Sequence, residues 1–180
     1  MIDRLTLARK NPSNPMLRSR VGKVVVNISV GKSGELLERA MRVLEILTGQ
    51  KPCKRTAKKT VRDWSIRRGE PIACVVTLRG QRAMDFLKRA FEAVGGKLSA
   101  SNFDRCGNFA FGIKEHIEIP GVKYDPNLGI FGMDVCVSIE KPGYRVKRRR
   151  RAKSDVGRKQ RVTREEAINY IKETFGVKIL

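Results

Sequence analysis

The side chains in this chain with chemistry to offer are few and scattered. His116 is the single histidine. Its neighbours Glu115 and Glu118 invite a metal or acid–base reading, but one histidine without nearby cysteines does not supply the usual zinc set. The His-x-Glu pattern of zinc deaminases also needs a following Pro-Cys-x-x-Cys; here Pro52-Cys53 lies upstream and has no second cysteine. A histidine closing a strand is the simpler expectation. Gly31-Lys32-Ser33, between a strand and a helix, looks like the end of a phosphate-binding loop. That motif needs a glycine five positions before Gly31, where the chain has Val26. What survives is a helix start whose amides could receive a phosphate. The four cysteines, Cys53, Cys74, Cys106 and Cys136, form no Cys-x-x-Cys pair, so a zinc ribbon or redox pair is not expected. Cys74 reads as a small core residue on a strand, and the thiols are expected to be free. No nucleophile–base set, paired acids, nucleophile elbow or dinucleotide fingerprint appears, and neither cofactor nor metal is expected.

The chemistry in surplus is cationic. The chain has 180 residues, 39 Lys and Arg against 18 acids, and a formal charge of +21. Such charge repels itself in a compact monomer and favours a polyanionic partner. Residues 51–70 concentrate it, with eight cations, two acids and the only tryptophan, Trp64. Lys51, Lys54, Lys58, Lys59, Arg62, Arg67 and Arg68 fall here, in a Pro- and Gly-bounded excursion between ordered segments. Cations on phosphates with an aromatic face beside them suit folded RNA; the plainer reading is a solvated charged hairpin. A second concentration, residues 141–161, has eleven cations and one acid, with Lys147, Arg148, Arg149, Arg150 and Arg151 in a row. Dense like charge of this kind behaves as an interaction tail. No apolar run approaches the roughly 20 residues that span a bilayer. The N-terminus lacks the apolar centre of a secretory signal, so the cytoplasm is the expected location.

The elements that must position these groups follow from hydrophobic period. Residues 23–30 alternate as a strand, with Val24, Val26, Ile28 and Val30 on one face and Lys23, Val25, Asn27 and Ser29 on the other. Residues 71–79 and 133–140 alternate in the same way, the latter with Met133, Val135, Val137 and Ile139 opposite Asp134, Cys136, Ser138 and Glu140. Residues 108–114 set Phe109, Phe111 and Ile113 on one side. Helices are expected over about 34–48, with Leu36, Leu37, Ala40, Met41, Leu44 and Leu47 inward, and over 81–94, with Met84, Leu87, Ala90, Phe91 and Val94 inward. A turn-rich loop follows His116, and Thr163-Arg164-Glu165-Glu166 is a capping box opening a terminal helix that stops at Gly176. The organisation expected is an arm over 1–20, a core over 21–141 and a basic extension with a terminal helix over 142–180. The fold class is α+β, a mainly antiparallel sheet with helices on one face. The opposite face is short and polar: Asn27, Ser29, Thr77, Arg79 and Ser138. It suits RNA, but antiparallel sheets commonly turn a polar face to water, and alternation does not separate the two.

The wording of the chain adds a resemblance. Gly49-Gln50-Lys51-Pro52, Ala57-Lys58-Lys59-Thr60, Arg68-Gly69-Glu70-Pro71-Ile72 and Val76-Thr77-Leu78-Arg79-Gly80 occur in order. Asn102-Phe103-Asp104, Gly107-Asn108, Gly112-Ile113-Lys114-Glu115 and Gly132-Met133-Asp134-Val135 follow. Over about residues 15–140 the chain resembles the large-subunit ribosomal protein five family, the 5S-rRNA-binding proteins of the central protuberance. From Lys141 onward it looks like the archaeal and eukaryotic branch. The resemblance implies a fold similar to an RNA-recognition module and a structural role in the ribosome. It implies polar contacts to 5S rRNA at Asn27, Gln50 and Thr77. Trp64 stands where the family usually has another aromatic, so the resemblance implies an rRNA contact there by stacking or apolar contact. The tip from Lys58 to Arg68 would approach peptidyl-site tRNA, and the loop after His116 would meet a small-subunit protein at an intersubunit bridge. Large-subunit rRNA and neighbouring ribosomal proteins complete the implied partners, with no membrane. An enzyme acting on RNA, a free RNA chaperone, a processing accessory protein and a membrane-surface protein are the competing classes.

Overall fold

The computed structural model describes residues 14–180; most of the arm expected over 1–20 lies outside the described residues. A short 3-10 turn, Pro15–Leu17, is capped by the Asn14 side chain. Then come β1 (Arg20–Ser29), α1 (Glu35–Thr48), β2 (Cys53–Thr56), β3 (Pro71–Leu78), α2 (Gln81–Ala93) and β4 (Lys97–Leu98). They are followed by β5 (Phe109–Ile113), β6 (Met133–Glu140), α3 (Arg145–Arg148), α4 (Arg164–Phe175) and β7 (Lys178–Ile179).

The main sheet has five strands in the order β2-β3-β1-β6-β5, and every neighbouring pair is antiparallel. Period-2 alternation puts one aliphatic row from each inner strand on the same side: Val24, Val26 and Ile28, Cys74, Val76 and Leu78, and Val135, Val137 and Ile139, all buried. α1 and α2 cover that side. The other side is bare among the described residues except at the end of β6, where Arg148 pairs with buried Glu140, so the α+β expectation, helices on one sheet face, describes the molecule.

The helices differ from expectation in rotation. α1 buries Leu37, Ala40, Val43, Leu44 and Leu47, whereas Leu36, expected inside, is 46% exposed. α2 buries Ala83 and Phe86 with Leu87, Ala90 and Phe91, while Met84 and Val94 sit at the edge of the stripe. Two apolar residues in succession fix only where a stripe lies to within one helical step, and packing on the sheet decides which goes inside. α1 stops at Gly49, which takes the left-handed conformation with φ 62° and returns its N–H to Glu45 O.

Two elements extend the expected plan. β2 adds an edge strand within the basic excursion. The C-terminal segment folds back: Ala167 and Ile171 of α4 are fully buried, Phe175 meets Phe91 edge-on with ring centroids 5.1 Å apart, and β7 pairs in parallel with β4. The expected capping box is formed, with Thr163 and Glu166 exchanging both side-chain-to-backbone bonds. Gly107 shows how tightly this segment fits. A Cβ there would come 2.7 Å from Val162 Cγ1, and its φ of +78° is one that L side chains rarely adopt.

Candidate nucleic-acid interface

The bare side of the sheet is a grid whose rows are set by strand register. One row runs Cys53–Val75–Asn27–Asp134–Gly112 from β2 to β5. The next runs Thr77–Val25–Cys136–Ala110. Arg55 lies beside Ala73 and Ser29 at one end, and Lys23 beside Ser138 at the other. No aromatic or long aliphatic side chain rises from these rows. A shallow groove of about 590 Å³ crosses the middle, lined in part by Asn27, Arg55, Val75, Asp134 and Cys136. A second, of about 480 Å³, lies toward Lys23, Asn108 and Ser138. A flat floor of small residues lets a nucleotide approach the strands closely, and the few polar groups are spaced along it as donors and acceptors.

Their orientations are fixed locally. Asn27 Nδ2 donates to Ser29 Oγ at 3.0 Å. Gln50 Nε2 donates to the Thr77 carbonyl at 3.4 Å, which ties the end of α1 to the end of β3 and brings these two expected residues together. Burial pushes the Cys136 thiol up from its ordinary value, and the Asp134 carboxylate beside it adds to the shift.

The basic excursion is an ordered hairpin. Its base is β2 on the edge of the sheet, and beyond it Ala57 N–H donates to Glu70 O at 2.8 Å and Gly69 N–H to Ala57 O at 2.9 Å. Val61 and Ile66 exchange both backbone bonds and enclose a turn, Arg62 to Ser65, with Ser65 at φ 55°. Trp64 stands on that turn, 73% exposed, with Lys58, Lys59, Arg62, Arg67 and Arg68 exposed around it. Glu70 anchors the base: Oε1 accepts from Ser33 Oγ at 2.7 Å and Oε2 from Arg67 N–H at 3.1 Å. These bonds, the Ser33 hydroxyl first, hold its carboxyl below the usual glutamate value. Ser33 is thus the residue of the phosphate-loop look-alike that the fold uses, as a brace for the hairpin.

The extension is pinned at several points. Lys141, itself buried, pairs with Glu166 Oε2 at 2.8 Å, and Arg148 pairs with buried Glu140. Gln160 Nε2 donates to Met16 O at 2.7 Å and Pro142 O at 3.0 Å. Lys147, Arg149, Arg150 and Arg151 remain exposed.

The expected site residues therefore fall into groups. Asn27, Ser29 and Thr77 share the bare face, and Gln50 reaches its edge. Lys51 and Lys54 are exposed at the hairpin base; Lys54 pairs in register with buried Cys74, which puts it on the helix side of the edge strand. Arg79 follows β3 and is exposed. Trp64 joins the tip cations and not the sheet set. Sequence reasoning passed over Arg55, which lines the central groove, and the loop residues Asn102 and Asp104, which wall the second. Arg55 was hidden because β2 has no apolar alternation to reveal a strand.

His116 is buried, with Nδ1 accepting from Phe131 N–H at 3.3 Å, and burial lowers its pKa. It closes the turn after β5, as the simpler reading had it. All four cysteines are free, and burial pushes Cys74 up to about 11. Among the described residues no group of three or more His, Cys, Asp or Glu could hold a metal ion. No described helix is long and apolar enough to cross a membrane.

An antiparallel sheet with one bare face of small residues, framed by a basic hairpin and a basic extension, suits a protein of the RNA-binding class. A family model described as ribosomal protein L5 matches residues 14–67, and one described as the ribosomal L5P family C-terminus matches residues 71–170. The chain is 56% identical over 165 residues to a large ribosomal subunit protein uL5 of Aeropyrum pernix, covering 91% of this chain and 86% of that protein. It is 54% identical to the uL5 of Pyrobaculum aerophilum, with 92% of this chain and 93% of that protein covered. The uL5 of Sulfurisphaera tokodaii is 47% identical, with 97% and 99% covered. The chain belongs to the ribosomal protein L5 family, in its archaeal form. It is a structural protein of the large ribosomal subunit and not an enzyme.

Proposed function

We propose that the bare sheet face holds 5S rRNA in the central protuberance. Asn27, Ser29, Gln50 and Thr77 meet sugar and base edges, and Lys51, Lys54 and Arg79 meet phosphates at the rim. The hairpin tip, with Lys58, Lys59, Arg62, Arg67 and Arg68, reaches peptidyl-site tRNA, and Trp64 on its turn makes a stacking or apolar contact to rRNA. The loop after His116 meets a small-subunit protein at an intersubunit bridge; exposed Tyr124 and Ile130 on that loop support this. The exposed cations Lys147, Arg149, Arg150 and Arg151 lie along large-subunit rRNA. In this reading residues 1–20, 21–141 and 142–180 are an arm, an RNA-binding core and a basic extension, and the protein works in the cytoplasm as part of the ribosome.

The observation that carries the reading is the division of labour on the surface. Small hydrogen-bonding groups occupy the flat face between Arg55 at one end and Lys23 at the other, while the remaining cations stand around it. Phosphate contacts position an RNA, and groups that reach bases and 2′-hydroxyls specify it.

The test compares 5S rRNA with an unrelated hairpin of equal length across a salt series. Log affinity should fall with log salt by about 0.7 to 0.9 per neutralised phosphate for both, with 5S rRNA the tighter throughout. Thr77→Val keeps shape and removes a hydroxyl. It should cost 5S affinity about tenfold, with an unchanged melting temperature. Equal affinity for the two RNAs, or a Thr77→Val loss explained by unfolding, would refute the reading.

A further inference from the structure

The second groove carries an acid, Asp104, as the first carries Asp134. Lys23, Asn102, Asp104, Asn108, Cys136 and Ser138 line it, at the end of the sheet where β1 begins and β6 finishes. On a chain of formal charge +21 that faces a polyanion, a carboxylate on the binding side repels phosphate. It favours binding only where it accepts hydrogen bonds from base N–H groups. Asp104 is not among the acids in the ion pairs of the described residues, which use Glu35, Glu140 and Glu166. Its own turn holds it: Oδ1 accepts from Arg105 N–H at 2.6 Å, and its N–H donates to Asn108 O at 2.7 Å. An ionised carboxylate has about four acceptor positions, so one such bond leaves most of its capacity unused.

The donor opposite is oriented by a chain of contacts. Ser138 Oγ lies 3.0 Å from Asn108 Oδ1 and 3.1 Å from Glu140 Oε1, and Glu140 is held by Arg148 of the extension. Ser138 has one hydroxyl proton, and donated to Asn108 Oδ1 it leaves the Asn108 Nδ2 amino group for a ligand. Val25, Ala110 and Cys136 supply a small, mainly apolar floor. The groove therefore offers a neutral donor, an ammonium and a carboxylate around a surface that suits an aromatic face.

That set matches one base. Guanine presents two adjacent N–H donors, N1 and the 2-amino group, beside the O6 acceptor. Adenine, cytosine and uracil do not place two donors side by side on that edge. We infer that this groove holds one unpaired guanine nucleotide, with Asp104 accepting from N1–H and the 2-amino group and Asn108 donating to O6. Ser138 acts as a positioning residue for Asn108, and Lys23 stands near the nucleotide's phosphate. The inference rests on the RNA-binding reading of this face and adds a base identity to it.

The test uses the full chain and single-stranded RNAs of sequence AAAANAAAA, where N is G, inosine, A, C or U, read by fluorescence anisotropy. The G oligonucleotide should bind about tenfold more tightly than the A, C and U ones, within the range of a bidentate base contact. Inosine, lacking the 2-amino group, should fall between. Asp104→Asn retains an oxygen for Arg105 N–H and should abolish the preference; Ser138→Ala, which releases Asn108, should reduce it. Equal affinity for all five RNAs, or an undiminished preference in Asp104→Asn, would overturn the inference. Whole 5S rRNA titrated alongside separates the two levels. Selective 5S binding without guanine preference sinks the base assignment alone, and guanine preference without 5S selectivity sinks the larger reading alone.

Discussion

Replacing Ile171 with alanine tests whether the C-terminal helix is part of the one core. Ile171 is completely buried, on the same face of α4 as Ala167 and one turn before Phe175. The substitution removes three carbon atoms, worth about 2.4 kcal/mol at about 0.8 kcal/mol per buried methylene. The hole left against a sheet-and-helix core that relaxes only partly adds to this, for a total of about 3 to 4 kcal/mol. In a domain of this size each kcal/mol moves the melting temperature by about 2 to 4 °C, so a fall of about 6 to 15 °C is expected. Circular dichroism and intrinsic fluorescence from Trp64 should be followed together with urea titration. Exposed Asn169→Ala is the control and should stay within about 0.5 kcal/mol of the parent. A loss under about 1 kcal/mol for Ile171→Ala would refute the reasoning. So would an early transition confined to helix signal, since either would make α4 an appendage and not a part of the core.

Replacing Lys58, Lys59 and Arg62 together with alanine should leave 5S rRNA affinity within a few-fold and speed tRNA release from the peptidyl site of reconstituted ribosomes. These side chains stand on the hairpin tip, away from the sheet rows. Equal damage to 5S binding and none to tRNA release would contradict the separation. Acid should loosen the hairpin base through Glu70. Its carboxyl is held low by Ser33 and Arg67 N–H, so its contribution is complete above the ordinary glutamate value of 4.5 and is lost as pH falls through the lowered one. The Arg67 amide resonance should shift with a midpoint below 4.5 in the parent and show no such titration in Glu70→Gln.

Much of this architecture is legible in the sequence, for physical reasons. Strands buried on one face must alternate, so 23–30, 71–79, 108–114 and 133–140 declare both their existence and their facing. The Thr163–Glu166 box and the glycines at 49 and 176 mark helix ends because only those chemistries satisfy the terminal backbone groups there. β2 was not legible: all four of its residues are exposed on a sheet edge, where nothing forces alternation. The inward face of α1 was misjudged at Leu36 because Leu36 and Leu37 both fit a helical stripe. Proximity was harder still. Nothing local tells that Asp104 and Asn108 border the same groove as Lys23, or that Glu70 braces the hairpin against Ser33. These pairings come from strand register and chain return, which are properties of the whole fold.

Cys136 gives the most direct measurement of the central claim, because it lies in the middle of the bare face and lines both grooves. Cys136 is exposed and free, although partial burial and Asp134 push its thiol up as well; Cys74 is buried, with its thiol pushed up to about 11, and serves as an internal reference. Site-resolved alkylation at alkaline pH, where the thiolate forms, should label Cys136 in the free protein. Saturating 5S rRNA should suppress that labelling at least about tenfold, the expectation for a thiol covered by a tight complex, while an unrelated RNA hairpin at equal concentration should not. Cys136 labelled at the same rate with and without saturating 5S rRNA would show that the RNA lies elsewhere and contradict the account.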